Sequence, residues 1–330
     1  MKVAVISTKP YDRQFLQAAN SEYVYEFTFF EARLTLETAA LASGFPAVCA
    51  FIHDQLNEET LSAISAEGTR IIALRSAGFN NVDLKAAGKL GLTVVRVPDY
   101  SPYAVAEHAV GLILMLNRKL HKAYNRVRDD NFSLNGLLGF DLHGATVGVI
   151  GTGKIGQCFC KIMTGFGCRI LAYDPYPSDD CIAMGVKYRD FSDVLAASDI
   201  VSLHCPLTPQ THYLINEKSL NWLKPGAILI NTSRGGLIDT KAVIAAIKSG
   251  KVGHLGIDVY EEEENLFFED WSNSVIQDDD IQLLQSFNNV VITAHQGFFT
   301  KEALTNIAQT TLMSLGQFAN GKPCEYEIRP

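Results

Sequence analysis

The chain has 330 residues, of which 47% are apolar and 19% charged, and its formal net charge is −8. A chain of this length is too long for a single small domain and fits two domains of ordinary size. Acidic and basic residues are mixed along the chain, which argues against a nucleic-acid binder, because such proteins need a clustered basic face.

The cysteines and the apolar stretches indicate a cytoplasmic protein. The seven cysteines follow no repeated spacing, so they predict neither a disulfide framework nor a zinc site, and we expect no metal. The apolar run that begins at Val3 stops at Ser7, which is too short for a signal peptide. The longest apolar stretch, 104–116, contains Glu107 and His108 and is too short to span a bilayer.

Two series of short apolar runs predict two parallel sheets. The strands of the first series are predicted at 3–7, 47–52, 70–74 and 93–97. A helical pattern at 57–67, with Asn57 as its N-cap, separates two of these strands. The strands of the second series are predicted at 146–150, 169–173, 199–204, 227–231, 255–259 and 290–293, with helices at 190–197 and 240–249. Such alternation is typical of crossover connections on a parallel sheet, whose ligands bind beyond the carboxyl ends of the strands.

The long apolar helix predicted at 101–117 lies between the two series. The last predicted helix, 300–318, follows the final strand of the second series and has no sheet of its own there. We therefore expect the chain to return to its first domain. Residues 101–297 would then form a domain inserted into another domain made of 1–100 and 298–330, and both would be doubly wound α/β domains.

A glycine turn directly follows the predicted strand 146–150 and opens a helical pattern. Gly151 permits the tight turn, Gly153 lets the backbone approach a pyrophosphate, and Gly156 lets helix and strand pack closely. The first N–H groups of the helix, beside Lys154, would face the phosphates. A tight turn without a ligand is the alternative, and the position between strand and helix disfavours it.

Asp174 ends the next predicted strand, eighteen residues beyond Gly156. A carboxylate there accepts hydrogen bonds from the adenosine ribose hydroxyls and repels a 2′-phosphate. The sequence therefore predicts NAD rather than NADP, bound by a Rossmann domain. A strand-end aspartate that only caps a turn is the alternative, and the glycine turn makes it the weaker one.

Three polar motifs follow strands of the second series. They are Asn-Thr-Ser-Arg-Gly at 231–235, Asp-Val-Tyr-Glu-Glu-Glu at 258–263, and Ala-His-Gln at 294–296. Arg234 could grip a carboxylate through its planar fork. His295, as imidazolium, could stabilise negative charge that hydride transfer builds on an oxygen, and then protonate it. Alone, such an arginine is more often a surface ion pair, and such a histidine is more often a hydrogen-bonded structural residue.

With these motifs the sequence resembles the D-2-hydroxyacid dehydrogenase family over essentially its whole length. The stretch His-Cys-Pro-Leu-Thr at 204–208 also matches, and the loop 265–287 resembles the insertion of the branch that acts on lactate. The resemblance implies a flavodoxin-like substrate domain around the inserted Rossmann domain. It also implies that Arg234, Glu263 and His295 are catalytic, with Glu263 orienting His295 and favouring its charged form. Only the resemblance selects Glu263 from its run of four glutamates.

The resemblance implies further contacts. The cofactor contacts are Ile155, Asp174, Cys205, Pro206, Thr211, Thr232, Ser233 and Asp258. In the substrate domain, the backbone N–H groups of Ala77 and Gly78 would face the substrate carboxylate. Tyr100 and Phe298, with Phe299, could enclose a small pocket suited to a methyl group, although ordinary hinge packing is an equal alternative for Phe299. The expected reaction is reduction of pyruvate to D-lactate by NADH.

The sequence also allows other functional hypotheses. Another member of the family could act on glycerate, phosphoglycerate or a longer 2-oxo acid. The absence of additional basic residues near Tyr100 disfavours a phosphorylated substrate, and formate dehydrogenases carry Gln where Glu263 stands. A non-catalytic NAD sensor could retain the same trio. The apolar helix at 104–116 and the resemblance favour a homodimer or higher homo-oligomer. The only other partner expected is the small 2-oxo or 2-hydroxy acid, with neither nucleic acid nor membrane.

Overall fold

The computed structural model describes residues 1–264 and 266–330, and the chain divides into two compact units. The first unit comprises Met1–Ser101 and Phe299–Pro330, and the second comprises Pro102–Phe298. Each unit has a parallel sheet flanked by helices, which confirms the predicted fold class. Among the helices of residues 1–264 and 266–330, none has both the length and the apolar character that crossing a membrane requires.

The first unit is built on a parallel sheet with the strand order β2-β1-β3-β4-β5, which is flavodoxin-like. Its elements up to residue 101 are β1 (Lys2–Val5), α1 (Pro10–Ala19), β2 (Glu26–Phe29), β3 (Ala47–Ala50), α2 (Glu58–Ala66), β4 (Ile71–Leu74), α3 (Leu84–Lys89) and β5 (Thr93–Val95). Asn57 caps α2 as predicted, because its side chain accepts the N–H of Thr60 at 3.0 Å. Strand β2, an edge strand with only partial burial, was not predicted from the sequence.

The second unit carries a longer parallel sheet with the order β12-β11-β10-β9-β6-β7-β8. Its elements are α4 (Pro102–Arg118), α5 (Leu120–Arg128), β6 (Thr146–Ile150), α6 (Lys154–Gly165), β7 (Arg169–Tyr173), α7 (Asp179–Ala183), β8 (Lys187–Tyr188), α8 (Phe191–Ala197), β9 (Ile200–Leu203), α9 (Glu217–Trp222), β10 (Ala227–Asn231), α10 (Thr240–Lys248), β11 (Val252–Ile257), α11 (Asp279–Ser286) and β12 (Val290–Ile292). The two-residue strand β8 was not predicted from the sequence. Strand β11 was predicted at 255–259, two or three residues too late.

The strand order of the second sheet reverses at β6, which pairs with β7 on one side and β9 on the other. The crevice beyond the carboxyl ends of β6 and β9 is therefore the switch point at which such sheets bind ligands. Apolar side chains cover both sheet faces. Ile113 and Phe159 belong to the core that α4 and α6 form, whereas Val194 and Val243 belong to the core of the opposite face.

The chain returns to the first unit in α12 (Lys301–Ala319). The buried face of this helix, which includes Ala308, Leu312 and Leu315, joins Val3 and Ile71 in one apolar core. The helix therefore covers one face of the first sheet, and this burial explains its otherwise isolated position at the end of the sequence.

Most apolar residues of α4 serve the core of their own unit. Ala106, Ala109, Ile113 and Leu116 are at most 1% exposed. These residues therefore do not provide the oligomer contact that the apolar helix at 104–116 suggested. Large exposed apolar side chains lie instead on α5 and in the segment after it: Leu120, Tyr124, Val127, Phe132, Leu134 and Leu138.

Candidate active site

The glycine turn joins β6 to α6 at the switch point. Gly151 has a φ of +96° and donates its N–H to the carbonyl of Tyr173 at 2.9 Å. A Cβ on Gly156 would lie 2.1 Å from the carbonyl oxygen of Gly151, so helix and turn are in direct backbone contact. A Cβ on Gly153 would meet open space, and no side chain caps α6 at this residue. The first N–H groups of α6 can therefore bind an anion.

Asp174 lies directly after β7 and beside this turn. Its Oδ2 accepts the N–H of Thr152 at 2.6 Å, and its Oδ1 accepts the N–H of Tyr176 at 2.8 Å. The hydroxyl of Tyr188 donates to Thr152 Oγ1 at 2.9 Å, so the missed strand β8 helps to hold this corner. The carboxylate is thus fixed at the strand end where it can accept ribose hydroxyls and repel a 2′-phosphate.

The loop after β9 borders the glycine turn on its other side. A Cβ on Gly151 would lie 2.7 Å from the backbone nitrogen of Cys205. Burial raises the pKa of the Cys205 thiol to about 11, so the thiol stays protonated near neutral pH. Thr211 donates its hydroxyl to the carbonyl of Pro206 at 2.7 Å and so closes the loop.

His204 lies at the start of the same loop and is held by aromatic packing. Its ring centroid is 4.7 Å from that of Phe159, and its Nε2 is 2.9 Å from Ser202 Oγ. Its Nδ1 has no hydrogen-bond partner within the described residues. Burial lowers the pKa of His204 to about 3, so the ring is neutral and is a structural part of the turn.

The residues of this crevice fit NAD. The open space at Gly153 and the uncapped α6 suit the pyrophosphate, and Asp174 suits the adenosine ribose. Thr232, directly after β10, has a buried hydroxyl without a partner in the part of the chain that the structure describes. Its neighbour Ser233 donates to the carbonyl of Leu203 at 2.8 Å, which joins the ends of β9 and β10. An unpartnered buried hydroxyl is costly unless a ligand completes it.

Arg234 is presented by a turn that Asn231 builds. The Asn231 side chain donates to the carbonyl of Arg234 at 2.8 Å and accepts the N–H of Ser233 at 3.0 Å. The half-buried Arg234 guanidinium touches the carbonyl of Ser233 at 2.6 Å. A Cβ on Gly235 would lie 2.1 Å from the backbone of Tyr260, so this turn packs directly against the segment that carries Glu263.

Glu263 and His295 form a pair. Nδ1 of His295 is 2.8 Å from Oε1 of Glu263, and the other carboxylate oxygen accepts the N–H of Tyr260 at 2.9 Å. Both side chains are mostly buried, at 17% and 16% exposure. Because Nδ1–H donates to the carboxylate, Nε2 is the nitrogen available to a substrate. Among the neighbouring glutamates, Glu261 instead accepts hydrogen bonds from Tyr213 and Thr240.

Asp258 is buried behind this pair. Its carboxylate accepts hydrogen bonds from Thr293, Gln296 and Gly297, and it lies 3.3 Å from Nε2 of His108. Burial opposes its ionisation, but the hydrogen bonds from His108, Thr293 and Gly297 outweigh burial and hold the pKa of Asp258 below its usual value. His108 and Thr293 were not among the predicted site residues. The signal for His108 in the sequence was weak: a polar side chain, beside Glu107, within an apolar stretch.

The predicted substrate-binding loop of the first unit follows β4. Its anchor is Arg75, which is 2% exposed, pairs with Asp12 at 3.1 Å and donates to the carbonyl of Cys49. Ser76 and Arg96 donate to the carbonyls of Gly78 and Ala77, both at 2.8 Å.

These contacts use the carbonyls of Ala77 and Gly78. The backbone N–H groups of the same two residues have no hydrogen-bond partner among the described residues. Tyr100 is half-buried in the same unit, and its carbonyl accepts from Asn306. Phe298 is the half-buried last residue of the second unit.

Two more of the predicted cofactor residues lie at the start of α6. Lys154 is exposed there, and Ile155 packs on the core face of that helix.

Asn265, the first residue of the predicted insertion 265–287, lies outside the described residues. The rest of this insertion contains α11 and the apolar residues Leu266 and Phe267, which pack on the sheet.

Comparisons with known proteins identify the family of this chain. A family model described as "D-isomer specific 2-hydroxyacid dehydrogenase, NAD binding domain" matches residues 110–297. A D-lactate dehydrogenase of Escherichia coli (strain K12) is 52% identical over 328 residues, which are 99% of this chain and 100% of that protein.

Solved structures show the same similarity. The pyruvate reductase of Chlamydomonas reinhardtii matches with a TM-score of 0.94 and 43% identity, over 98% of both chains. A D-lactate dehydrogenase of Aquifex aeolicus, solved with NAD and lactic acid, matches with a TM-score of 0.86 and 34% identity, over 97% of this chain and 96% of the other.

Proposed function

Because the chain belongs to the D-isomer specific 2-hydroxyacid dehydrogenase family, we propose that it is an NAD-dependent D-lactate dehydrogenase that reduces pyruvate. The observation that carries the proposal is the Glu263–His295 pair, which lies in the same unit as the Arg234 turn and the glycine turn. Similarity to D-lactate dehydrogenases over nearly the full chain supports lactate as the product.

In the proposed mechanism, Arg234 binds the carboxylate of pyruvate through charge-assisted hydrogen bonds. NADH, when bound, supplies the hydride that the carbonyl carbon accepts. Nε2 of the protonated His295 donates its proton to the carbonyl oxygen as negative charge develops there. The new C–H and O–H bonds complete D-lactate, and His295 is left neutral and regains a proton from solvent. Glu263 stabilises the charged imidazole and fixes its tautomer.

We extend the proposal to the remaining predicted contacts. The backbone N–H groups of Ala77 and Gly78 bind the substrate carboxylate, and Tyr100 and Phe298 contact the substrate methyl group. The cofactor contacts are Gly151, Gly153, Lys154, Ile155, Gly156, Asp174, Cys205, Pro206, Thr211, Thr232, Ser233 and Asp258. The second unit is the NAD-binding domain and the first is the substrate domain.

The test is an NADH oxidation assay of the purified chain across 2-oxo acids, followed by chiral analysis of the product. Pyruvate should give the highest kcat/KM, and the product should be D-lactate. A higher kcat/KM with hydroxypyruvate or with a longer 2-oxo acid would assign the chain to another activity of the family. Tight NADH binding with negligible turnover on every acid would instead favour an NAD sensor.

We also propose that the protein is cytoplasmic and at least a homodimer. The exposed apolar residues of α5 and the following segment, including Leu120, Tyr124 and Leu138, support self-association because exposed apolar surface of this kind is typical of interfaces. Sedimentation would measure the mass in solution. A monomeric mass at working concentration would contradict the proposal.

A further inference from the structure

The Asp258 carboxylate is a buried charge that depends on donors from several parts of the second unit. It is 1% exposed. Thr293 donates at 2.6 Å, and the backbone N–H groups of Gln296 and Gly297 each donate at 2.8 Å. A buried carboxylate is costly unless its oxygens are satisfied, so the loss of one donor should disturb the others.

His108 supplies the remaining donor from helix α4. Its Nε2 lies 2.9 Å from Thr293 Oγ1 and 3.3 Å from Asp258 Oδ1, and its side chain is 17% exposed. The Thr293 hydroxyl already donates its one hydrogen to Asp258. The His108 nitrogen must therefore donate, either to the Thr293 oxygen or to the carboxylate.

The segment that Asp258 holds contains the proposed acid. The backbone carbonyl of Asp258 accepts the N–H of His295 at 2.7 Å, while the carboxylate holds the next two N–H groups. His295 has a φ of +52°, in the left-handed region that non-glycine residues seldom adopt. Such backbone persists only where surrounding contacts determine it.

Little room is left for Asp258 to move. A Cβ on Gly297 would lie 2.9 Å from Asp258 Oδ2 and 3.5 Å from Cδ2 of His108. The three residues are therefore packed so closely that a shift of His108 should displace both Asp258 and the backbone at 297.

We propose that His108 is a positioning residue for the reaction. By donating to the Asp258–Thr293 pair, it fixes the left-handed turn at His295 and so sets the direction of Nε2 toward the substrate carbonyl. This inference rests on the proposed function, in which His295 is the acid. It adds a contribution from α4, a helix outside the three strand-end motifs.

The test compares two replacements of His108. In His108→Leu the volume is kept and the donor is lost, whereas in His108→Gln an amide N–H can replace Nε2–H. We expect His108→Leu to lower kcat about 10- to 100-fold, as misplaced reacting groups do. The KM for pyruvate should stay within about two-fold because Arg234 is untouched. His108→Gln should regain most of kcat.

A second readout does not require activity. Hydrogen exchange at the amides of Gln296 and Gly297 should be faster in His108→Leu than in the parent and close to the parent in His108→Gln. Thr293→Val, which removes the other side-chain donor to Asp258, should accelerate the same amides. It also provides an independent test if His108→Leu does not fold.

Asn117→Leu is the matched control. Asn117 is a buried polar residue of the same helix, but its side chain bonds the backbone of Phe140. This variant should lose stability without a selective fall in kcat or faster exchange at 296 and 297.

An unchanged kcat in His108→Leu, or an equal loss in the Leu and Gln variants, would overturn the inference. If the parent turns over no 2-oxo acid, the proposed function fails, and unchanged exchange in both His108→Leu and Thr293→Val would then reject the positioning role separately.

Discussion

Oε1 of Glu263 lies 2.8 Å from Nδ1 of His295, and the second oxygen of the same carboxylate is held by the N–H of Tyr260. The glutamate is therefore tied to its own loop while it holds the histidine ring. Nδ1 is therefore occupied by a hydrogen bond within the protein, and Nε2 is available for proton transfer.

Replacing Glu263 with Gln should lower kcat for pyruvate reduction about 100-fold, which is the usual contribution of a positioned acid–base group. The amide keeps the size of the side chain but carries no negative charge beside the imidazole that donates the proton. The measurement is kcat with saturating NADH and pyruvate. Glu262→Gln, at an exposed position of the same run, is the control and should keep the parent kcat. An unchanged kcat for Glu263→Gln would contradict the pairing.

Replacing Arg234 with Gln should raise the KM for pyruvate about 100-fold, which is the loss expected for a charge-assisted carboxylate contact. The Kd for NADH, measured by fluorescence, should change by less than about two-fold. Arg189→Gln removes an exposed arginine of the same unit and should alter neither constant. If the KM of Arg234→Gln equals that of the parent, another group holds the carboxylate.

Two replacements of Asp174 separate its charge from its structural role. Asp174→Asn keeps an oxygen for the N–H of Thr152 but removes the charge, whereas Asp174→Ala removes both. Both should reduce the preference for NADH over NADPH at least about tenfold, because repulsion of the 2′-phosphate is lost. Only the Ala variant should also lose thermal stability. If Asp174→Asn keeps the parent's preference for NADH over NADPH, another residue distinguishes the ribose hydroxyl from a 2′-phosphate.

Two glycines of the turn should respond differently to a methyl group. In Gly156→Ala the Cβ would lie 2.1 Å from the carbonyl oxygen of Gly151, so the free energy of unfolding should fall by about 1–3 kcal/mol. Gly153 has a φ of −65° and open space at its Cβ, so Gly153→Ala should fold normally. It should nevertheless bind NADH at least about tenfold more weakly, because the methyl group keeps the pyrophosphate from the backbone. Melting and NADH titration measure both effects, and equal NADH binding by Gly153→Ala and the parent would place the pyrophosphate elsewhere.

Stability should fall between pH 6.5 and pH 5 because of His204. Burial lowers its pKa from 6.5 to about 3, so the unfolded chain takes up a proton in this range that the folded chain does not. The stabilising contribution is complete above pH 6.5 and is lost on acidification by about 1.4 kcal/mol per unit. His204→Gln should flatten this slope in chemical unfolding, whereas His143→Gln, at an exposed position, should not. A slope that is unchanged in His204→Gln would assign the acid sensitivity to other groups.

Most strands could be predicted because fully buried parallel strands are continuous apolar runs, as in Ile71–Leu74. The missed strands do not have that pattern. Glu26–Phe29 alternates polar and aromatic residues at a sheet edge, and Lys187–Tyr188 is too short to show a period. Their pairing is set by β1 and β7, which lie elsewhere in the sequence.

At the site, too, local motifs could be predicted from the sequence, whereas contacts between distant residues could not. The glycine turn and the Asn-Thr-Ser-Arg-Gly stretch are local motifs, and the order of strand ends in a parallel sheet is enough to group them. The contact between His108 and Asp258 joins residues 150 positions apart through side chains alone. Hydrophobic periodicity places His108 on a helix but gives no information about which strand end it faces.

The return of the chain to its first unit in α12 has a consequence for biosynthesis. The first sheet is complete once residue 95 has been made, but the apolar face that Leu312 and Leu315 cover waits for the last helix. Roughly 200 residues of the second unit are translated in between, which takes about 10–40 s at ~5–20 residues per second. During that interval the second unit can fold around its own core, while the nascent first unit exposes an uncovered apolar sheet. Chaperones that bind apolar segments should therefore associate with ribosome-bound chains of this protein until α12 emerges.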